Sequence, residues 1–156
     1  MNNMLIDYNE GAVWMDRYGK LDEFGYYVLP SNISGSVNIS LESAVTDLAS
    51  TKIHSDRDHA VLLTATVGYQ AVTDGTGLSR VNVLFKILRG STVVFSANDT
   101  AESTSDQKKV TSFTHVDTGF TASRHYKYVL TAELPDTGSA ATIIGPVTLT
   151  ATEIEM

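Results

Sequence analysis

The sequence predicts an all-β domain, a sandwich or barrel of roughly eight to ten antiparallel strands. Three observations carry that prediction. Apolar and polar residues alternate through successive runs beyond residue 36, glycine, proline, asparagine and aspartate recur between the runs, and two of the longest runs follow one another between His59 and Phe95. In the first of these, Val61, Leu63, Ala65, Val67 and Tyr69 share one parity, and Leu62, Thr64, Thr66 and Gly68 the other. In the second, Val81, Val83, Phe85 and Ile87 alternate with Asn82, Leu84, Lys86 and Leu88. The intervening Asp74-Gly75-Thr76-Gly77 suits a tight reversal, so the two runs are expected to pair as one long hairpin.

Taken in order, residues 1–35 differ in texture from the rest. Tyr8, Trp14, Tyr18, Phe24, Tyr26 and Tyr27 stand among Asp7, Glu10, Asp16, Asp22 and Glu23 with no sustained period, which predicts an extended, aromatic-rich arm with short strands that either packs on its own sandwich or docks on a neighbouring subunit. Residues 36–156 form the β domain. Val37, Ile39 and Leu41 alternate after the turn residues Pro30-Ser31-Asn32 and Ser34-Gly35. Residues 42–53 fit a short helix or a strand, and the strand is preferred from their Thr and Ser content and the surrounding β pattern. Asn98 to Lys109 is polar throughout and must be a surface loop or a hydrophilic edge. Val110 to Val116 is a strand closed by Asp117-Thr118-Gly119, and Tyr126, Tyr128, Leu130, Ala132 and Leu134 share one face of the next. The last run turns Val147, Leu149 and Ala151 inward and Thr148, Thr150 and Thr152 outward, with Pro146 marking a break or an edge near its start.

Composition narrows the function classes. The 156 residues suit one domain able to bury a core unaided, and no apolar run approaches the roughly 20 residues that cross a bilayer. A formal charge of −7, with eleven scattered Lys and Arg, argues against nucleic acid. The absence of cysteine removes disulfides, thiolate metal sites and thiol nucleophiles. The opening MNNMLIDYNEGAVWMDR lacks a basic stretch followed by an apolar one and does not read as a secretory signal.

Many polar-face positions hold threonine where a solvated strand would carry Lys or Glu: Thr64, Thr66, Thr131, Thr148, Thr150 and Thr152. Such a face keeps β propensity high with little charge, which suits contact with other subunits. The expected subunit contacts are therefore Thr64, Thr66, Thr148 and Thr150, with Tyr8, Trp14, Tyr26 and Tyr27 from the arm.

Candidate chemistry is sparse. His54-Ser55-Asp56-Arg57-Asp58-His59 gathers two imidazoles and two carboxylates, so His54, Asp56, Asp58 and His59 are the candidate metal ligands, although an extended strand would split them between faces. Asp117 and Asp136 each open an Asp-Thr-Gly triplet, which is read as turn chemistry and not as a protease pair. His115 and His125 flank the Asp117 turn without a convincing serine. Gly75-Thr76-Gly77 lacks the lysine of a phosphate loop. No cofactor and no enzymatic activity are expected.

The segments VLLTATV, F-x-I-x-R-G at Phe85 to Gly90, V-D-T-G at Val116 to Gly119, H-Y-x-Y-x-L at His125 to Leu130, and the closing GPVTLTA-x-EI resemble, in order, the TNF/C1q-like jelly-roll domains of bacterial spore-surface (exosporium) proteins. The resemblance covers about residues 58–156 and does not extend to the arm. It implies a jelly-roll sandwich and a non-enzymatic structural subunit, assembling with itself as a trimer or a fibre, in company with other spore-surface proteins. It also implies synthesis in the mother-cell cytoplasm and deposition on the spore surface, which requires no secretion signal. A bacteriophage structural protein, or a receptor- or carbohydrate-binding module stacking sugars on Trp14, Tyr26 or Tyr69, is the competing expectation.

Overall fold

The computed structural model describes residues 21–73 and 77–156, which form nine strands and no helix. They are β1 (Leu21–Val28), β2 (Ile39–Ser40), β3 (Thr46–Ser55), β4 (Ala60–Val72), β5 (Ser79–Arg89), β6 (Thr92–Ser103), β7 (Gln107–Asp117), β8 (Arg124–Glu133) and β9 (Ala140–Ile154). In the first sheet the order is β1-β9-β4-β7, with β2 continuing the β1 edge along β9; the second has the order β3-β8-β5-β6. All pairings are antiparallel. From β2 onward every connection crosses to the other sheet except the β5–β6 hairpin, and that interleaving is a jelly roll.

Strand alternation fixes which side chains enter the core. Val61, Leu63, Ala65, Val67 and Tyr69 on β4 and Val81, Val83, Phe85 and Ile87 on β5 are buried, as their parity predicts. The expected hairpin between these strands is not what forms. β4 lies in the first sheet between β7 and β9, and β5 lies in the second between β6 and β8. The two apolar faces therefore meet across the core, with the Tyr69 and Phe85 rings 6.0 Å apart. A period of two says which face is buried and nothing about which strand is the lateral neighbour. The true hairpin is β5–β6, turning at Gly90 with φ +61°.

The ambiguous segment 42–53 contributes β3, a strand. Asn98 to Lys109 is a hydrophilic edge: it supplies the end of β6 and the start of β7, each the outermost strand of its sheet. Pro146 sits in an interior strand, not at an edge, because β9 is flanked by β1 and β2 on one side and β4 on the other. The break expected there is a register shift between Val67 and Tyr69 on β4. It depends on Gly68, where an added Cβ would lie 1.9 Å from the Gly145 carbonyl oxygen.

Part of the expected arm, residues 21–28, is β1, paired with β9 from Leu21↔Ile154 to Val28↔Thr148. Tyr8 and Trp14 lie outside the described residues, as does most of the Asp74–Gly77 turn. Gly25 brings β1 close over β3, since a Cβ there would lie 2.6 Å from the Lys52 carbonyl oxygen.

Candidate functional site

The outer face of the first sheet is the most unusual surface of the molecule. Register places Phe24, Thr152, Leu62 and Val116 in one row across β1, β9, β4 and β7. The next row is Tyr26, Thr150, Thr64 and Thr114, and the third is Val28, Thr148, Thr66 and Ser112. None of these twelve positions carries a charge, although the chain has 29 Asp, Glu, Lys and Arg (18 acidic plus 11 basic). Four of the hydroxyls bond in pairs, Thr64 with Thr150 and Thr66 with Ser112. These four are thereby partnered within the sheet. On β1 the Phe24 and Tyr26 rings stack at 5.7 Å and are 58 % and 66 % exposed. The first charge beyond the grid is Lys108, opposite Gln70.

Thr64, Thr66, Thr148 and Thr150 thus share one outer surface with Tyr26. Three expectations are corrected. Tyr27 has the opposite parity to Tyr26 and packs on the protein's own core. Thr131, on the second sheet, is 3 % exposed between the Asp47 and Lys86 positions and is not part of an outer threonine face. Tyr69 is fully buried and donates its hydroxyl to Asp99 at 2.9 Å, so it offers no sugar platform.

The metal candidates split. The turn Asp56 to His59, closed by the His59 amide donating to the Asp56 carbonyl at 3.1 Å, supplies the bend that an extended strand lacks. It brings Asp56 and His59 together with Asp22 and Glu153, their donor atoms all within 4.8 Å of one another. His54 falls in a second group with Glu23 and Glu153. Asp58 joins neither; it is exposed beside Arg57 at 3.8 Å. Glu153, 1 % exposed, links both groups and was not anticipated. Its signal was in the alternation, since it shares the inward parity of Leu149 and Ala151. The mixed imidazole and carboxylate set suits a divalent ion. Glu153 also accepts the Asp56 amide and the His59 Nδ1–H, both at 2.8 Å, so the arrangement closes the turn by itself.

Asp117 is more than a turn residue. Buried at the end of β7, it accepts both oxygens' worth of bonding from Arg89 Nη1 of β5 at 2.9 and 3.0 Å, and the Tyr128 hydroxyl of β8 at 2.7 Å. This ties the first sheet to the second. Burial, then the bond to Asp117, pushes the Tyr128 hydroxyl well above the ordinary tyrosine range, and burial with Asp99 does the same for Tyr69. Asp136 lies beyond the opposite end of β8 and accepts Asn82 Nδ2 at 2.6 Å, so the two Asp-Thr-Gly triplets do not meet. His125 stacks edge-on against His54 at 5.3 Å, whereas His115 lies beside Phe95 at 5.6 Å, so the two flanking histidines are also apart.

Neither a protein-family model nor a curated protein matches the chain. Among solved structures, dimeric latent PorU from Porphyromonas gingivalis is similar with a TM-score of 0.44 and 14 % identity, over 88 % of this chain and 13 % of that one. An arabinose-bound α-L-arabinofuranosidase gives a TM-score of 0.44 at 8 % identity, over 90 % of this chain and 24 % of that one. The VP2 subviral particle of infectious bursal disease virus gives 0.38 at 15 %, over 86 % and 40 %. The chain therefore spans less than two thirds of each of these proteins. No helix among the described residues is long and apolar enough to cross a membrane.

Proposed function

We propose that the protein is a non-enzymatic structural subunit that associates with further copies of itself through the outer face of the first sheet. The observation that carries this reading is the three uncharged rows across β1, β9, β4 and β7. Two copies of a chain of charge −7 repel one another, and an uncharged face is where they approach at least cost. With strands ~4.8 Å apart and same-face neighbours ~6.7 Å apart, the grid spans about 400 Å². That is about half of the ~800 Å² per partner of a standard interface, so the remainder is assigned to the rim and to residues 1–20, which precede β1 in the chain. The resemblance of the strand and turn segments to TNF/C1q-like spore-surface domains supports a setting on a bacterial spore surface or appendage, as a trimer or fibre.

Negative-stain microscopy and sedimentation velocity on the full chain test the reading. Trimers or polymers are expected, Thr64→Glu is expected to disperse them, and deletion of 1–20, which spares β1, is expected to weaken them. A monomer indifferent to both changes would sink it. A second reading, a carbohydrate-binding or receptor-binding module, is favoured by one observation, the exposed Phe24–Tyr26 stack. Glycan-array binding lost on Tyr26→Ala would establish that reading in its place.

A further inference from the structure

The basic residues of this acidic protein are unevenly placed. Arg57, Arg80, Lys86, Arg89 and Lys109 each have a carboxylate partner, while Lys52, Lys108, Arg124 and Lys127 have none among the described residues. Three of those four, Lys52, Arg124 and Lys127, lie on the paired strands β3 and β8 of the second sheet. Register sets Lys52 directly opposite Lys127, and His54 directly opposite His125 in the adjoining row. Like charges facing one another across a strand pair cost stability unless something of opposite sign lies between them. Among the described residues neither Lys52 nor Lys127 forms an ion pair. The Glu23 carboxylate, from β1, accepts the His54 amide at 2.6 Å.

Beside this block lies a cleft of about 380 Å³. Its walls come from the β5–β6 turn, the loop before β8 and the start of β8, and no carboxylate is among them. Arg124 is laid over the Tyr126 ring at 5.0 Å, which holds its guanidinium plane while its N–H groups stay free. Ser91, Thr92 and Thr121 bring hydroxyls to the same walls. Lys127 lines this cleft and also a second one of about 260 Å³ shared with Lys52.

We infer that this cleft binds a tetrahedral oxyanion, a phosphate or sulfate group, held by Arg124 and Lys127 with hydroxyls from the β5–β6 turn. The chemistry fits: a guanidinium fork takes two oxygens of such a group, an ammonium a third, and hydroxyls complete the shell. The site is separate from the uncharged face, which belongs to the other sheet, so the inference stands independently of the assembly reading. The anion is either free or borne on a polymer, and two probes tell these apart.

The experiment is calorimetric titration of the full chain with inorganic phosphate and, separately, with dextran sulfate, each against sodium chloride of matched ionic strength. Saturable binding of inorganic phosphate identifies a free-anion site, and binding of dextran sulfate alone identifies a polymer site. In either case Lys127→Ala and Arg124→Ala weaken it by at least about tenfold, and Lys108→Ala, which removes a cation of the first sheet unpartnered among the described residues, leaves it unchanged. Both substituted residues are exposed, and an unchanged melting temperature verifies the fold; should Arg124→Ala unfold, Lys127→Ala decides alone. Binding of neither probe beyond the chloride control overturns the inference, as does binding that Lys127→Ala leaves within about twofold of the parent.

Discussion

The two outward faces of the sandwich enclose the same core and are built from strands of similar length, yet they differ in kind. The second sheet carries charge across its strands, with Lys86 against Glu133 and Arg80 against Glu102. The first carries three rows of threonine, serine and apolar residues with no charge at all. Folding alone does not require the difference, since Lys, Glu and Thr all satisfy an outward position. On the proposed reading, what distinguishes the faces is what each meets. A charged face is adapted to water, and an uncharged, internally hydrogen-bonded one is suited to another protein surface.

The largest expected effect comes from breaking the first sheet from within. Gly68→Ala forces a Cβ onto the Gly145 carbonyl and should cost upwards of about 4 kcal/mol by urea unfolding, or abolish folding. Its counterpart in the second sheet, Gly90→Ala, meets open space and only the strain of φ +61°, about 1 kcal/mol. Asp117→Ala cuts the link between the sheets and strands Arg89 against a buried hydroxyl, costing about 3 kcal/mol or more. The contrast between the faces is tested by the same carboxylate placed on each. Thr64→Glu should weaken association on the order of a hundredfold, and Ser96→Glu, on the outer face of the second sheet, should leave it within about twofold, both read by sedimentation.

Alkaline titration probes the interior that both faces share. Tyr69 and Tyr128 are raised in the folded state, so their contribution is full below the unfolded tyrosine pKa of about 10 and declines as pH climbs past it. The melting temperature should hold level through neutral pH and fall above pH ~10, less steeply in Tyr69→Phe. The smallest effect is Arg80→Ala, whose partly exposed pair with Glu102 should be worth no more than about 0.5 kcal/mol.

Alternation in the sequence was enough to read the fold class, the inward residues of β4, β5, β8 and β9, and the threonine positions of the first sheet. Lateral pairing was not legible, because parity is local and neighbours are chosen by the whole chain; β4 and β5 looked like a hairpin and are opposed across the core instead. The Asp117 network was hidden for a related reason. Asp117 ends a strand in a sequence that suits a turn, and only the jelly-roll crossing brings Arg89 and Tyr128 to it. Glu153 could have been found, since an acid at an inward parity position needs donors, and the turn at Asp56 provides them.

Both seams of the sandwich are fastened. On one side Gly25 lets β1 lie against β3, with Glu23 reaching the His54 amide. On the other, Lys109 from β7 grips Asp99 and the Thr100 carbonyl of β6. Among the described residues each outermost strand is thus held against the outermost strand of the other sheet, which leaves less room along these edges for a strand from a neighbouring molecule.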